Sequence, residues 1–158
     1  IHKTSELLDE VVSEAVQRFR KRIPQAQVRV SIPDDFVMIA MDATLIEQVL
    51  INLLENAFYH GSSSDPIDLV VFLRDQRAYF QVIDYGKGIS EEQLPHIFDG
   101  SPSSPSQSGD SRKGMGIGLS ICKTIITAHG GEIHAESHEN GAMFAFWLPL
   151  NEDENDES

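Results

Sequence analysis

Two asparagines stand four residues apart in ATLIEQVLINLLENAFYHG, and with Gln48 they fall at i, i+4 and i+8. Helical spacing puts Gln48, Asn52 and Asn56 on one stripe, while Leu50, Leu53, Leu54 and Ala57 cover another. Carboxamides on a buried helix are costly unless each amide has partners. Neighbouring loops could supply them; the functional alternative is an amide oxygen facing a cleft and ligating a hard cation such as Mg²⁺. A second group is Asp84-Tyr85-Gly86-Lys87-Gly88-Ile89, at the end of an apolar strand pattern. It offers a carboxylate acceptor and a backbone free to approach a flat ligand, or else a glycine-rich turn with Asp84 as its local cap. The third is Gly114-Met115-Gly116-Ile117-Gly118-Leu119, which opens a helical pattern. Glycines there let N–H groups converge on an anion that the helix dipole also favours. A dinucleotide-binding G-x-G-x-x-G wants a preceding strand and a different spacing, and a P-loop wants a closing Gly-Lys-Ser/Thr. Neither fits.

The elements that must hold these groups follow from periodicity. Apolar residues Leu7, Leu8, Val11, Val12, Ala15, Val16 and Phe19 predict a helix capped by Thr4 or Ser5 and closed by Arg18, Arg20, Lys21 and Arg22 before Pro24. Residues 27–32 alternate as a strand, with 36–41 expected as its partner. Asp42 caps the asparagine-bearing helix, which ends at Gly61. Strands are expected at 67–74 and 78–84 around the turn Asp75-Gln76, and at 132–137 and 142–148 around Asn140-Gly141. A short helix over 90–98 and a longer one over 116–129 flank a serine-rich loop. The sum is an α+β two-layer sandwich, a largely antiparallel mixed sheet covered on one face by three helices.

Composition narrows the class. The 158 residues are 41% hydrophobic, enough for a core, and carry a net charge of −13. Five acids lie in the closing NEDENDES, read as a solvated, disordered tail over 151–158, and the remaining body is still acidic. A sequence-independent nucleic-acid binder needs a basic face, so that class is disfavoured. No apolar run approaches the ~20 residues of a membrane span, and no signal peptide opens the chain. The single cysteine, Cys122, sits in an apolar helical pattern and reads as a buried structural thiol.

Taken in order, N-x-x-x-N-A on a helix, D-x-G-x-G after a strand, a polar loop and G-x-G-x-G-L resemble the ATP-binding catalytic domain of sensor histidine kinases. That family belongs with gyrase, the Hsp90 chaperone and MutL. Residues 52–57 look like its N box, 84–89 its G1 box, Ile97-Phe98 a reduced F box, and 114–119 its G2 box. His129-Gly130-Gly131, Gly141-Ala142-Met143-Phe144 and Leu148-Pro149 complete the match. The run GMGIGLSICKTIITAHGG is also similar to potassium-sensing Kdp-type kinases.

The resemblance implies a Bergerat-type ATP-binding fold over 1–150 with an ATP lid at about 99–114. It implies that Asp84 accepts from the adenine amino group, with Gly86, Gly88, Ile89 and Phe98 around the base. Asn56 would ligate Mg²⁺, with Asn52 supporting the same cleft as the second catalytic amide. Gly114, Met115, Gly116, Ile117, Gly118 and Leu119 would hold the phosphates, with Lys113 or Arg112 beside them. The hydrolysing relatives place a glutamate at position 52, where it polarises water; an amide cannot, so Asn52 favours kinase over ATPase, and Glu55 is expected to point elsewhere. Where the family often has Lys-Tyr, this chain has Tyr59-His60, and Phe98 lacks a second phenylalanine after it. A phosphate-contacting lysine is thus missing, which implies weak intrinsic ATP affinity.

No histidine sits in the H-E-x-x-T-P pattern of a phosphoacceptor helix. The acceptor is therefore expected on a separate dimerisation domain of the parent protein, with a response regulator acting indirectly, no nucleic acid and no membrane contact. The implied location is the cytoplasmic portion of a membrane-anchored kinase. Two other functions share the fold: a nucleotide sensor without transfer, and an anti-sigma-type serine kinase.

Overall fold

The computed structural model describes residues 1–61, 64–100 and 115–150, with backbone alone for 115–117. The residues after Gly100 expected to form a lid, Arg112, Lys113 and Gly114 among them, and the expected tail over 151–158 lie outside that set.

Strand β1 (Thr4–Leu7) leads into helix α1 (Leu8–Arg22), then strands β2 (Val28–Ser31) and β3 (Met38–Met41). Helix α2 (Ala43–Gly61), strands β4 (Ile67–Arg74) and β5 (Arg77–Asp84), helix α3 (Met115–Ala128) and strands β6 (Glu132–His138) and β7 (Gly141–Pro149) complete the order. Five strands form one sheet in the order β2-β4-β5-β7-β6, with β2–β4 parallel and the other pairs antiparallel. Three helices cover one face, so the expected α+β sandwich and mixed sheet are what the chain adopts.

The period of two along each strand decides which residues enter the core. Ala78, Phe80 and Val82 of β5 point to the helices at 1% exposure or less. Asp84 continues that inward series and is 5% exposed, which is why a carboxylate ends up among apolar neighbours. Phe80 stacks on Phe146 across the β5–β7 register, centroids 4.5 Å apart. Each such ring contributes about 2–3 kcal/mol by leaving water. The opposite face carries Phe72 stacked on Tyr79 and Arg77 lying 3.7 Å over the Trp147 ring.

Helix α2 owes its start to Asp42, whose Oδ1 accepts from Leu45 N–H at 3.3 Å while Oδ2 accepts from His2 N–H at 2.9 Å. His129, 1% exposed, ties the end of α3 to the same point. Its Nε2 accepts from Asp42 N–H at 3.0 Å, so the proton sits on Nδ1, which donates to Ile125 O at 2.8 Å. Burial holds the His129 pKa below its ordinary value, so the ring stays neutral.

Three local expectations are corrected. Thr4 and Ser5 cap nothing: both lie in β1, paired with Met41 and Ala40, and α1 begins at Leu8 with no side-chain cap. Residues 36–41 do not pair with β2; β3 takes β1, and β2 runs parallel to β4. Residues 90–98 form only a single 3₁₀ turn at Leu94–His96, since Pro95 cannot donate to a longer ladder. The Asp75-Gln76 turn is as expected, both residues left-handed (φ 53° and 64°) in the mirror-image geometry that suits a two-residue hairpin.

Candidate functional site

Helix α2 is the rail on which the site is built. Asn52 and Asn56 are half-buried on it, whereas Gln48, one turn earlier, is exposed. Asn52 Nδ2–H points at α3 and donates to Cys122 Sγ at 3.8 Å. Asn56 Nδ2 is buried and meets no hydrogen-bond partner among the described residues. Glu55 turns the other way, to Arg22 Nη2 on α1 at 3.1 Å, as expected. No carboxylate of this helix segment is therefore left to polarise a water beside the two amides.

The C-terminal end of α2 closes on Asp84. A Cβ at Gly61 would sit 3.2 Å from Asp84 Cβ, and one at Gly86 would sit 1.8 Å from Gly61 O. Helix end and turn therefore meet backbone to backbone. Asp84 Oδ1 accepts from Gly86 N–H at 3.0 Å, the local cap considered above, in a position buried enough to serve a ligand as well. Gly88 has φ +78°, and a Cβ there would lie 2.7 Å from Ser137 Oγ and 2.9 Å from His138 O. Ile89 N–H donates to Ser137 Oγ at 2.8 Å, and the Ile89 side chain is buried. The alternating glycines thus answer two neighbours, α2 on one side and the β6–β7 hairpin on the other. Tyr85, between them, swings to the open face of the sheet. Its hydroxyl bonds Asp68, which Arg29 also grips at 2.7 and 3.0 Å; the Arg29 pairing holds the Asp68 carboxyl below its ordinary range.

Helix α3 brings the third group to the same rail. A Cβ on Gly118 would lie 3.9 Å from Asn52 Nδ2, so the first turns of α3 pass directly over Asn52. Leu119 is buried in the core, and Met115, Gly116 and Ile117 fall within the helix. Gly100 reaches the same helix, where a Cβ would lie 3.3 Å from Ser120 Oγ. Asn52 and Gly61, nine residues apart, mark stations about 14 Å apart along α2, with Asn56 between them. Tyr59 is 54% exposed and meets Phe58 edge to face, while His60 is buried. Phe98 is half-buried and packs edge to face on Phe144 of β7.

Two cavities lined by described residues adjoin Asp84. One of about 140 Å³ lies between α2 and the start of β4 with Gln27, Ala57, Gly61 and Asp65 on its wall. The other, about 230 Å³, opens beside His138 and Gly141. Asn52 and Asn56 line neither. Among the described residues no cluster of three His, Cys, Asp or Glu side chains stands ready for a metal. A cation here would depend on amide and ligand oxygens. Asn56 fits that role, since rotating its amide by a half-turn places Oδ1 where the unpartnered nitrogen lies.

Sequence reasoning missed Cys122 as the partner of Asn52, Gly61 as the neighbour of Asp84 and Gly86, and Ser137 as the acceptor for Ile89. Only Gly61 carried a signal, as the glycine ending a helix. No described helix is long and apolar enough to cross a membrane.

Comparison with known proteins places this geometry. Residues 41–152 match the family described as histidine kinase-, DNA gyrase B- and HSP90-like ATPase. The chain is 47% identical over 150 residues to the sensor protein KdpD of Clostridium acetobutylicum, covering 94% of this chain and 17% of that protein. The chain thus spans about a sixth of that relative. The catalytic domain of histidine kinase ThkA superposes with a TM-score of 0.78 at 31% identity, over 95% of this chain and 97% of that one. A structure of ThkA in complex with the response regulator protein TrrA aligns with a TM-score of 0.74 at 30% identity, over 94% and 42%.

Proposed function

The chain belongs to the histidine kinase-, DNA gyrase B- and HSP90-like ATPase family, among its histidine kinase catalytic domains, and from that premise we propose that it binds Mg·ATP and delivers the γ-phosphoryl group to a histidine on a separate phosphoacceptor domain. The observation that carries the reading is the buried Asn56 Nδ2, without a hydrogen-bond partner among the described residues, midway along a rail whose ends meet Asp84 and the start of α3. A buried polar group without a partner costs about 1–3 kcal/mol, and a ligand that supplies one recovers that cost.

In this reading Asp84 accepts from the adenine amino group and sets the base. Asn56 presents its oxygen to Mg²⁺, which neutralises phosphate charge when bound. Gly114, Gly116 and Gly118 offer backbone N–H groups to the phosphates, with Arg112 or Lys113 adding charge. Phe98 and Ile89 support the wall, and Tyr59 and His60 border the nucleotide. Residues 99–114 act as the lid that closes over it. Position 52 is an amide and Glu55 is held by Arg22, so neither offers a base to water. A neutral imidazole needs none. Its nitrogen attacks the γ-phosphorus in line, the bond to the β,γ-bridging oxygen breaks, and ADP leaves. The protein's work is positioning and charge stabilisation. Relatives of the KdpD type suggest a larger sensor kinase around this domain, with a response regulator downstream, as ThkA has TrrA.

Radiolabel transfer from ATP to an added phosphoacceptor domain tests the proposal, with Asn56→Ala and Asp84→Asn as controls. The expected product is acid-labile phosphohistidine, lost in both variants. Binding without transfer would identify a sensor, and acid-stable label a serine kinase. Transfer that survives both substitutions would overturn the site assignment.

A further inference from the structure

The single cysteine lies 0% exposed against the functional helix. Cys122 follows Gly118 by one turn on α3, and both face Asn52. Sγ lies 3.8 Å from Asn52 Nδ2 and 4.0 Å from the carbonyl oxygen of Val49, the residue one turn before Asn52. The thiol therefore accepts from the amide and donates to the backbone of the same helix. Burial pushes its pKa up to about 11, so it keeps its proton, and with it the donor, throughout the neutral range.

A carboxamide has one donating and one accepting end, and its neighbours decide which end faces where. We infer that Cys122 is the positioning residue for Asn52: by engaging Nδ2 it holds Oδ1 on the other side, as an acceptor facing the nucleotide cleft. The partner that suits such an acceptor is a hydrated cation, since Mg²⁺ retains waters whose O–H groups donate. This inference rests on the proposed Mg·ATP reading. A thiol that only filled the core would be replaced by valine, somewhat larger and lacking both hydrogen-bonding functions, with no effect on the Asn52 amide. Serine retains both functions in a smaller atom.

The test compares Cys122→Val and Cys122→Ser with wild type in two measurements. Without ligand, the Asn52 side-chain NH₂ pair is followed by ¹⁵N NMR. A held amide gives a solvent-protected pair shifted from random-coil positions in wild type and in the serine variant, and a fast-exchanging pair at random-coil positions in the valine variant. With nucleotide, the Mg²⁺ concentration for half-maximal ATP binding is expected to rise about three- to tenfold in Cys122→Val, the loss of one modest hydrogen bond. It should return to within about twofold of wild type in Cys122→Ser, whatever the thermal midpoints. A valine variant unchanged in both measurements, or a serine variant that behaves like valine, overturns the inference. Asn52→Ala separates the two levels. If it leaves Mg·ATP binding intact, the amide-stripe reading fails; if it weakens binding while Cys122→Val does not, only the thiol's role fails.

Discussion

The turn at Asp84–Ile89 and the amide stripe of α2 are held in opposite ways. In the turn, Gly86 and Gly88 have neighbouring atoms where a side chain would start, and Asp84 Oδ1 and Ile89 N–H have partners within 3.0 Å. On the stripe, Asn52 has a sulfur at 3.8 Å and Asn56 Nδ2 has no partner among the described residues. One region is fixed by the fold. The other leaves hydrogen-bonding capacity unspent in a half-buried place, which a fold tolerates where a ligand completes it. The base-binding end of the proposed site is thus prebuilt, and the metal end is completed on binding.

That contrast breaks most readily at Gly86. Alanine there would drive Cβ into Gly61 O, a clash between two backbones that no rotamer relieves. The expected loss is about 3 kcal/mol or more, and a fall of about 10 °C in thermal midpoint by calorimetry; a shift within error would show the turn is looser than described. Next in size, Asp84→Asn keeps an oxygen for Gly86 N–H but loses the charge proposed to select adenine. Nucleotide affinity should drop by about ten- to a hundredfold, with little change in melting, and an unchanged affinity would move the base elsewhere. Asn56→Ala should leave stability within about 1 kcal/mol of wild type, because the nitrogen removed has no partner to lose among the described residues. A large destabilisation would mean that the amide serves the fold.

Smaller effects come from outside the site. The folded pKa of His129 lies below its unfolded value of about 6.5, so between the two the unfolded chain binds more protons. Stability from this residue is complete above pH ~6.5 and declines as the pH falls through that window. Facing groups are Asp42, held ionised chiefly by the His2 N–H, and Lys3, which disfavours a second cation. His129→Gln, which keeps a donor and an acceptor but does not titrate, should flatten the pH dependence of the melting temperature there; an unchanged slope would assign it to other groups. Smallest of all, Glu55→Gln should cost about 0.5 kcal/mol, as expected of an ion pair whose arginine is solvent-exposed, and leave phosphotransfer unchanged. A marked loss of activity would restore Glu55 as a base.

Local signals carried much of the architecture. Asp42, the apolar period and Gly61 bounded α2, and alternation with turn residues bounded both hairpins. The misses share a cause, which is distance along the chain. Strand β1 is four residues long and exists through pairing with Met38–Met41, and β2 finds its neighbour beyond an intervening strand and helix. The site divides the same way. Residue types and order pointed to Asn52, Asn56 and Asp84, but why the glycines alternate depends on Gly61 and Ser137, remote from each other and from the turn. The partner that orients Asn52 lies 70 residues away.

The most direct test titrates Mg·ATP and metal-free ATP into wild type and Asn56→Ala by calorimetry. Wild type should prefer Mg·ATP, with a dissociation constant no tighter than micromolar because Tyr59 stands where the family resemblance implies a phosphate-contacting lysine. Asn56→Ala should bind metal-free ATP as wild type does and lose that preference. An alanine variant that still prefers Mg·ATP to the same degree would contradict the claim that α2 holds the metal end of the site.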